Sequence, residues 1–327
     1  MIYDKRKVVI IGAGMVGMSY AYALLNQGVC NELVLIDLNR KRAEGEAQDL
    51  NHGAAFSPSG IKVSAGDYPD CKDADIVVIC AGVAQKPGES RINLLQRNTE
   101  VFRQVVTSTV KSGFNGIFIV ATNPVDIMTR VVCDISGFPA HRVIGSGTTL
   151  DTARLRYLLG TYFDVDPRNV HAYVIGEHGD SEFVPWSQAM VATKRVYDIL
   201  NENTKDYKIY ELEKIADDVS NAAYSIIDAK GATYYGIGMA LVRITKAIFN
   251  DENSVLTVST KFRGEYGIND TFMGIPGFVN RGGVKKILRL DLTDDEIVKL
   301  KQSAATLDNN YKHLSVQSKE KEAALTK

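Results

Sequence analysis

The sequence predicts an α/β protein in which a doubly wound parallel sheet is followed by a second, α+β domain. Segments with helical spacing separate continuous apolar segments, as in successive β–α units. The apolar segments have the character of parallel strands buried on both faces: residues 7–11, 32–36, 75–81 and 116–122. The chain has 327 residues, 45% of them hydrophobic, which is enough for two cores. We place the domain boundary between residues 1–146 and 147–327.

The first strand leads directly into a glycine-rich turn. Gly12, Gly14 and Gly17 have the G-x-G-x-x-G spacing and are followed by a helical pattern. The second strand ends at Asp37, about 20 residues beyond the last glycine. Such glycines let a pyrophosphate approach the backbone at a helix N-terminus, and the carboxylate accepts from ribose hydroxyls. Because a carboxylate repels a 2′-phosphate, NAD is favoured over NADP; the alternative is a glycine-rich turn without a ligand.

Composition and charge exclude several classes of partner. Lys and Arg number 38 and Asp and Glu 39, so a net charge of −1 gives no electrostatic reason to bind nucleic acid or a membrane surface. The four cysteines show no C-x-x-C spacing, which suits a reducing compartment. No apolar signal segment or membrane span is evident. We therefore expect a cytoplasmic protein with a small-molecule partner and no metal.

A loop at residues 81–91 follows the third strand. Gly82 and Gly88 near its ends make it a candidate lid. Gln85 and Arg91 are its candidate functional residues. The alternatives are a loop glutamine without a role and a solvent-facing arginine at the start of a helix.

Asn123 follows the fourth strand and precedes Pro124. The proline favours an extended conformation at Asn123, whose amide can both donate and accept hydrogen bonds. The alternative is that Asn123 caps the next helix.

Candidate acid/base residues lie in the second half. His178 stands between glycines and carboxylates in the segment 176–180, and a histidine titrates near neutrality. Asp151 and Arg154 share one face of a predicted helix, since their spacing is i,i+3. The alternatives are a turn histidine bonded to a backbone carbonyl and a surface salt bridge worth a few tenths of a kcal/mol, roughly.

The C-terminal part predicts two long helices, a strand and turns. The helices begin at about residue 210 and span about 235–250, and alternation predicts a strand at 254–259. Pro276 with Gly277, and the segment 280–283, are turn signals.

Six motifs together resemble the L-lactate/malate dehydrogenase family, and most of all its bacterial L-lactate-specific members. Their order and spacing agree over nearly the whole chain: the glycine turn with Asp37, the Gln85–Arg91 loop, Asn123-Pro124, Asp151-x-x-Arg154, segment 176–180 and segment 230–233. The resemblance implies a Rossmann-type NAD-binding domain, reversible reduction of pyruvate to L-lactate by NADH, and a homotetramer.

The resemblance also implies a role for individual residues. His178 exchanges the proton, Asp151 orients it and steadies its charge, and Arg154 anchors the substrate carboxylate. Arg91 stabilises charge on the carbonyl oxygen when the loop closes. Gln85, Asn123 and Thr233 are further implied substrate contacts. The implied cofactor contacts are Gly12, Gly14, Val16, Gly17, Asp37, Arg42, Tyr68, Gly82, Val83, Ala121, Asn123 and Ser146.

Gln85 decides the expected substrate. Malate enzymes of the family generally carry arginine there, which pairs with the second carboxylate of oxaloacetate. Leaving that charge unpaired costs on the order of 3–5 kcal/mol, so we expect pyruvate to be preferred by roughly two to three and a half orders of magnitude.

Arg156 and His171 match an anion site between subunits for fructose 1,6-bisphosphate in bacterial relatives. Doubled by a two-fold axis, they would gather four potential cations around two phosphates. The alternative is an exposed helix arginine and a strand histidine without a ligand.

Other functions remain open from sequence alone. They are a malate or other 2-hydroxy-acid dehydrogenase, and a non-catalytic NAD-binding protein on the same fold. An NAD-requiring glycosidase would need metal-ligand Cys or His in place of Asn123 and segment 176–180, and no such cluster is evident.

Overall fold

Strands and helices alternate in the first half of the chain. The computed structural model describes the backbone of residues 6–83 and 91–325 and the side chains of residues 6–83 and 93–314. The elements are β1 (Lys7–Ile11), α1 (Met15–Gln27), β2 (Glu32–Ile36), α2 (Arg40–Gly53), β3 (Lys62–Ala65), β4 (Ile76–Ile79), α3 (Arg91–Lys111), β5 (Ile117–Val120), α4 (Val125–Ser136) and β6 (Val143–Gly145). This alternation confirms the α/β prediction.

The second half mixes helices with antiparallel strands. Its elements are α5 (Thr149–Phe163), β7 (Val170–His171), β8 (Met190–Val191), β9 (Lys194–Arg195), α6 (Val196–Glu202), α7 (Ile209–Lys230), α8 (Tyr235–Phe249), β10 (Ser254–Arg263), β11 (Asn269–Asn280), β12 (Gly283–Ile287) and α9 (Asp294–Leu325). Over the described residues, none of these helices combines the length and apolar character that crossing a membrane requires.

One sheet joins the two halves. Among the described residues its strand order is β12-β11-β10-β6-β5-β4-β1-β2-β3. The stretch from β3 to β6 is parallel, with the 3-2-1-4-5-6 order of a Rossmann fold. Strand order reverses between β1 and β4, so a crevice for a ligand is expected at their carboxyl ends. Ser259 of β10 pairs with Gly145 of β6, so the sheet continues across the boundary predicted at residue 146.

Apolar side chains cover both faces of this sheet, as a doubly wound fold requires. Phe102 and Met128 bring α3 and α4 onto one face. Leu24 and Leu241 bring α1 and α8 onto the other. A third cluster, which includes Leu159, packs α5 against α7 in the second half. Each such side chain contributes about 1.5–3 kcal/mol to the stability of the fold when it is fully buried. This packing holds the strands, and with them the strand ends, in fixed positions.

The turn predicted at Pro276 and Gly277 is wrong, because both residues lie inside β11. Pro276 is opposite Thr257 of β10. Its carbonyl faces β12 and accepts the Leu288 N–H at 2.7 Å, so the N–H that proline lacks would also have faced β12 rather than Thr257. The missing donor falls just beyond Ile287, where β12 ends, so proline is tolerated here without disturbing the pairing of β11 with β10. The turn signal at residues 280–283 is confirmed, since it separates β11 from β12.

Candidate active site

The backbone around His178 is fixed from three sides. Gly176 forms a pair of hydrogen bonds with Gly274 of β11, at 2.9 and 2.8 Å. A Cβ on Gly176 would lie 2.9 Å from Ser303 Oγ, and its φ of +98° favours glycine. Asp126 of α4 accepts the His178 backbone N–H at 2.7 Å. These contacts set the direction in which the His178 ring leaves the chain.

The His178 ring is bonded to a buried carboxylate on α5. Asp151 Oδ2 accepts a hydrogen bond from His178 Nδ1 at 2.6 Å, and Asp151 Oδ1 accepts one from Arg154 at 2.8 Å. The Asp151 side chain is only 2% exposed, so the predicted Asp151–Arg154 pair is buried rather than on the surface. One carboxylate thus joins two cationic groups, and His178 Nε2 remains for proton exchange with a ligand.

The charges around His178 favour its imidazolium form. Burial alone lowers the pKa of the ring, but the charge and hydrogen bond of Asp151, with smaller contributions from Glu182 and Asp126, raise it to about 9. The same cation, together with Arg154, holds the pKa of Asp151 below its usual range despite burial. At neutral pH the ring therefore carries a proton that it can donate.

Asp126 is a site residue that sequence reasoning missed. Its side chain is buried, and burial raises its pKa to about 6, opposed by the hydrogen bond from His178. Within the described part of the chain, its Oδ1 atom has no hydrogen-bond partner. Asp126 follows Asn123-Pro124 in sequence, but only the fold shows that it holds the backbone of His178.

Glu182 is the second residue that sequence reasoning missed. Its side chain is 4% exposed, and Oε2 lies 3.9 Å from His178 Nδ1. Burial and the Asp151 charge raise its pKa to about 8. The i,i+4 spacing from His178 gave no signal, because that segment is not a helix.

Asp151, His178 and Glu182 also have the composition of a metal site. Their potential ligand atoms lie within 4.8 Å of one another. Ligand atoms of a tetrahedral metal with bonds near 2.0 Å are about 3.3 Å apart, however, and the 2.6 Å between His178 Nδ1 and Asp151 is that of a hydrogen bond. The geometry favours a shared proton over a metal ion.

The glycine turn after β1 has the shape of a ligand cradle. Gly12 has a φ of +106°, and a Cβ on it would lie 2.5 Å from the backbone nitrogen of Ala81. A Cβ on Gly17 would overlap the Gly12 carbonyl, so α1 can approach the turn only with glycine there. A Cβ on Gly14 would meet no atom within 4 Å, which shows open space above the N-terminus of α1. A pyrophosphate fits this arrangement.

Asp37 is fixed at the end of β2. Its two oxygens accept the backbone N–H groups of Ala13 and Asn39, each at 2.8 Å. The carboxylate therefore links the glycine turn to the start of α2. Arg42, in the first turn of α2, donates its backbone N–H to the Asn39 side chain, and its guanidinium lies 3.7 Å from Glu46 on the surface.

The other predicted cofactor contacts follow the ends of parallel strands. They are Val16 in α1, Tyr68 after β3, Gly82 and Val83 after β4, Ala121 and Asn123 after β5, and Ser146 after β6. Asn98 of α3 connects two of these strand ends. It accepts from the Val83 N–H at 2.8 Å and donates to the Asn123 carbonyl at 3.3 Å.

Comparison with known proteins agrees with this arrangement. Residues 6–145 match the lactate/malate dehydrogenase NAD-binding domain, and residues 148–317 match the α/β C-terminal domain of the same family. The chain belongs to the lactate/malate dehydrogenase family. It is therefore an NAD-dependent oxidoreductase, and the prediction of NAD as cofactor is confirmed.

Individual members of this dehydrogenase family are similar to the chain over most of its length and most of theirs. The chain is 56% identical to L-lactate dehydrogenase 2 of Bacillus cereus over 301 residues, which cover 92% of this chain and 96% of that protein. A crystal structure of a lactate dehydrogenase from a deep-sea metagenome library gives a TM-score of 0.93 at 52% identity, covering 95% of this chain and 99% of that one. The ligand-bound minor L-lactate dehydrogenase of Enterococcus mundtii gives 0.92 at 49% identity, covering 94% and 98%.

The contacts described so far for the site do not include three predicted substrate-binding residues, Gln85, Arg91 and Thr233. Gln85 lies outside the described residues. Arg91 is the first residue of α3, and its side chain also lies outside them. Thr233 is half-buried between α7 and α8. Their roles stay predictions.

The predicted effector residues lie on adjacent elements of the second half. Arg156 of α5 donates from Nε to the carbonyl of Ala172 at 3.3 Å, and its guanidinium lies 5.6 Å from the Tyr173 ring centre. His171, at the end of β7, is exposed. Burial lowers the pKa of Arg156. The hydrogen bond keeps the guanidinium beside the backbone that follows His171.

Proposed function

We propose that the chain is an L-lactate dehydrogenase that reduces pyruvate to L-lactate with NADH and catalyses the reverse reaction. The relatives at 56% identity carry this name, which supports the substrate class. The observation that carries the proposal is the buried arrangement of His178, Asp151 and Arg154. It offers one proton and one guanidinium, which are what a 2-oxo acid requires.

Arg154 anchors the substrate carboxylate in this mechanism. One of its nitrogens donates to Asp151, and the guanidinium has further N–H donors for a carboxylate. Its side chain is 14% exposed, so an ion pair formed there is partly shielded from water.

His178 supplies the proton. NADH, when bound, supplies a hydride to the substrate carbonyl carbon. The imidazolium donates its Nε2 proton to the carbonyl oxygen, and Asp151 continues to accept from Nδ1 while the ring becomes neutral. In the reverse direction the neutral ring takes the hydroxyl proton. Asp126 keeps the His178 backbone in place throughout.

The identity of residue 85, a glutamine, supports pyruvate rather than oxaloacetate as the substrate, and this argument comes from the sequence alone. A neutral amide cannot pair with a second carboxylate, so oxaloacetate would leave a charge without a partner. Arg91 is the further residue that we assign to the carbonyl oxygen.

The test is the initial rate of NADH oxidation with pyruvate and with oxaloacetate in parallel. We expect kcat/KM to favour pyruvate by roughly two to three and a half orders of magnitude. Gln85→Arg should reduce or reverse that ratio, whereas His178→Asn should abolish turnover with both substrates. Comparable rates with both substrates in the unmodified protein would refute the assignment of Gln85, and no rate with either would refute the dehydrogenase activity.

We also infer activation by fructose 1,6-bisphosphate in a homotetramer. The placement of Arg156 next to the strand that carries His171 supports it, since two such pairs across a two-fold axis suit two phosphates. We expect the effector to lower the pyruvate KM, and Arg156→Ala to remove the response. Sedimentation with and without the effector measures the assembly, and an unchanged pyruvate dependence between pH 5.5 and 8 would contradict the proposal.

A further inference from the structure

Glu182 lies in the active site without a part in the mechanism above. Its Oε2 atom is 3.9 Å from His178 Nδ1, the same nitrogen that donates to Asp151. Both carboxyl groups are almost fully buried, at 4% and 2% side-chain exposure. Two carboxyl groups therefore lie near one imidazole nitrogen, and both are shielded from solvent.

The surroundings of the two carboxyl groups differ. Asp151 accepts strong hydrogen bonds from His178 and Arg154, which favour its ionised form. Glu182 accepts only a 3.3 Å hydrogen bond from the Ser220 hydroxyl of α7 among the contacts described for it. An oxygen of Glu182 lies within 4.8 Å of an oxygen of Asp151. Two negative charges this close in a buried site oppose ionisation of both groups. The proton therefore belongs on Glu182, and burial and the Asp151 charge raise its pKa accordingly.

The charge in the site depends on that proton. The groups that act on Glu182 are Asp151 and Arg154 of α5, His178 of its own segment and the neutral Ser220 of α7. With Glu182 neutral, the three charged groups that act on it, His178, Arg154 and Asp151, together carry one net positive charge, which suits a substrate with one carboxylate. With Glu182 ionised, that net charge disappears and a second negative group competes for Arg154.

We propose that Glu182 is a positioning residue that must be protonated when the anionic substrate binds, so that the bound site holds two protons, one on His178 and one on Glu182. The proposal rests on the proposed function, because it concerns binding of a 2-oxo acid beside Arg154. The ionisable unit of the enzyme is then a pair of groups rather than a single histidine.

The first test counts protons. Oxamate, a non-reducible analogue of pyruvate, is added to the enzyme–NADH complex at pH 9.5 in weak buffer with an indicator dye. The unmodified enzyme should take up more than one proton per site, and Glu182→Gln at most one. The exposed Glu213→Gln on α7 is the matched control and should behave as the unmodified enzyme does. Equal uptake by the unmodified enzyme and Glu182→Gln would overturn the proposal.

The alkaline limb of the pH profile gives the kinetic counterpart. For pyruvate, log(kcat/KM) of the unmodified enzyme should fall with two ionisations and a slope steeper than −1, and that of Glu182→Gln with one and a slope of −1. At pH 7 the variant should keep kcat and KM within about threefold, because glutamine resembles the neutral acid. A slope of −1 in both proteins contradicts a two-proton site.

Thermal unfolding tests the protonation of Glu182 without any substrate. A pKa raised in the folded state means that the folded protein binds more protons than the unfolded chain, so its stability falls as pH rises from about 4.5 to 8. The Tm of Glu182→Gln relative to the unmodified enzyme should therefore increase over that range. A constant difference would show that Glu182 is not neutral when folded. If pyruvate is not reduced at all, the proposed function fails, while this measurement still decides the state of Glu182.

Discussion

Replacing Asp151 by asparagine should lower the pKa of His178 and with it the pH range of pyruvate reduction. Asp151 accepts from the ring at 2.6 Å and is the largest favourable influence on the imidazolium, whose pKa rises from 6.5 to about 9. That rise corresponds to about 3 kcal/mol in favour of the charged ring. Asparagine removes the charge and leaves the burial of His178, which opposes protonation.

The expected loss of activity depends on pH. With a pKa of 6.5 or lower, about a quarter or less of the ring is charged at pH 7 and about 3% or less at pH 8, against roughly 90% or more in the unmodified enzyme. The value of kcat/KM should therefore fall at least fourfold at pH 7 and about 30-fold at pH 8.

The assay is kcat/KM for pyruvate between pH 5 and 9.5 for the unmodified enzyme, Asp151→Asn and the exposed control Asp198→Asn. Circular dichroism confirms that each variant is folded. The control should keep the unmodified profile. A midpoint of the Asp151→Asn profile that stays at that of the unmodified enzyme would refute the assignment of the His178 pKa to the Asp151 charge.

Three further changes test the fold around the site. Gly17→Ala would place a Cβ against the Gly12 carbonyl of the glycine turn. The affinity for NADH, measured by fluorescence, should therefore fall, and Tm should drop by the equivalent of about 1–3 kcal/mol. Unchanged affinity would contradict the close packing of α1 against the turn. Asp126→Asn should gain about 2 kcal/mol of stability relative to the unmodified protein between pH 4 and 6. The reason is that a carboxyl whose folded pKa is raised from 3.8 to about 6 loses stability as pH rises. Denaturant titrations at both pH values measure this, and an unchanged difference between the two proteins would argue against it. Thr149→Val removes the donor to Thr257 beside the strand proline and should destabilise the fold by about 1–3 kcal/mol, which chemical unfolding would detect.

Features that are local in sequence could be predicted. A parallel strand buried on both faces is a continuous apolar run, and residues 7–11 correspond to β1 without adjustment. The glycine turn and Asp37 belong to one β–α–β unit, so their spacing is set by local geometry. Asp151 and Arg154 share a helical turn, and their pairing follows from the i,i+3 rule.

Features that depend on distant contacts could not be predicted. Asp126 accepts from the backbone of His178 across 52 positions of the chain, and no local pattern indicates such a contact. The groups that act on Glu182 include Asp151 and Arg154 of α5 and Ser220 of α7, which lie far from it in sequence. Pro276 was assigned to a turn because turn propensity is a local property, whereas the place that tolerates it, opposite the residue after β12, is set by strand pairing.

Asn98 has a consequence for redesigning substrate choice. Its side-chain amide ties Val83 to the strand end that carries Asn123, while α3 itself begins at Arg91. Val83, which precedes residues 84–90, is therefore tied to α3, which follows them, through Asn98 rather than through the residues between. We therefore expect residues 84–90 to be exchangeable. Under the proposed function, different side chains at Gln85 and its neighbours would change which 2-oxo acid is accepted, while His178 and Arg154, the proposed proton donor and carboxylate anchor, keep their positions.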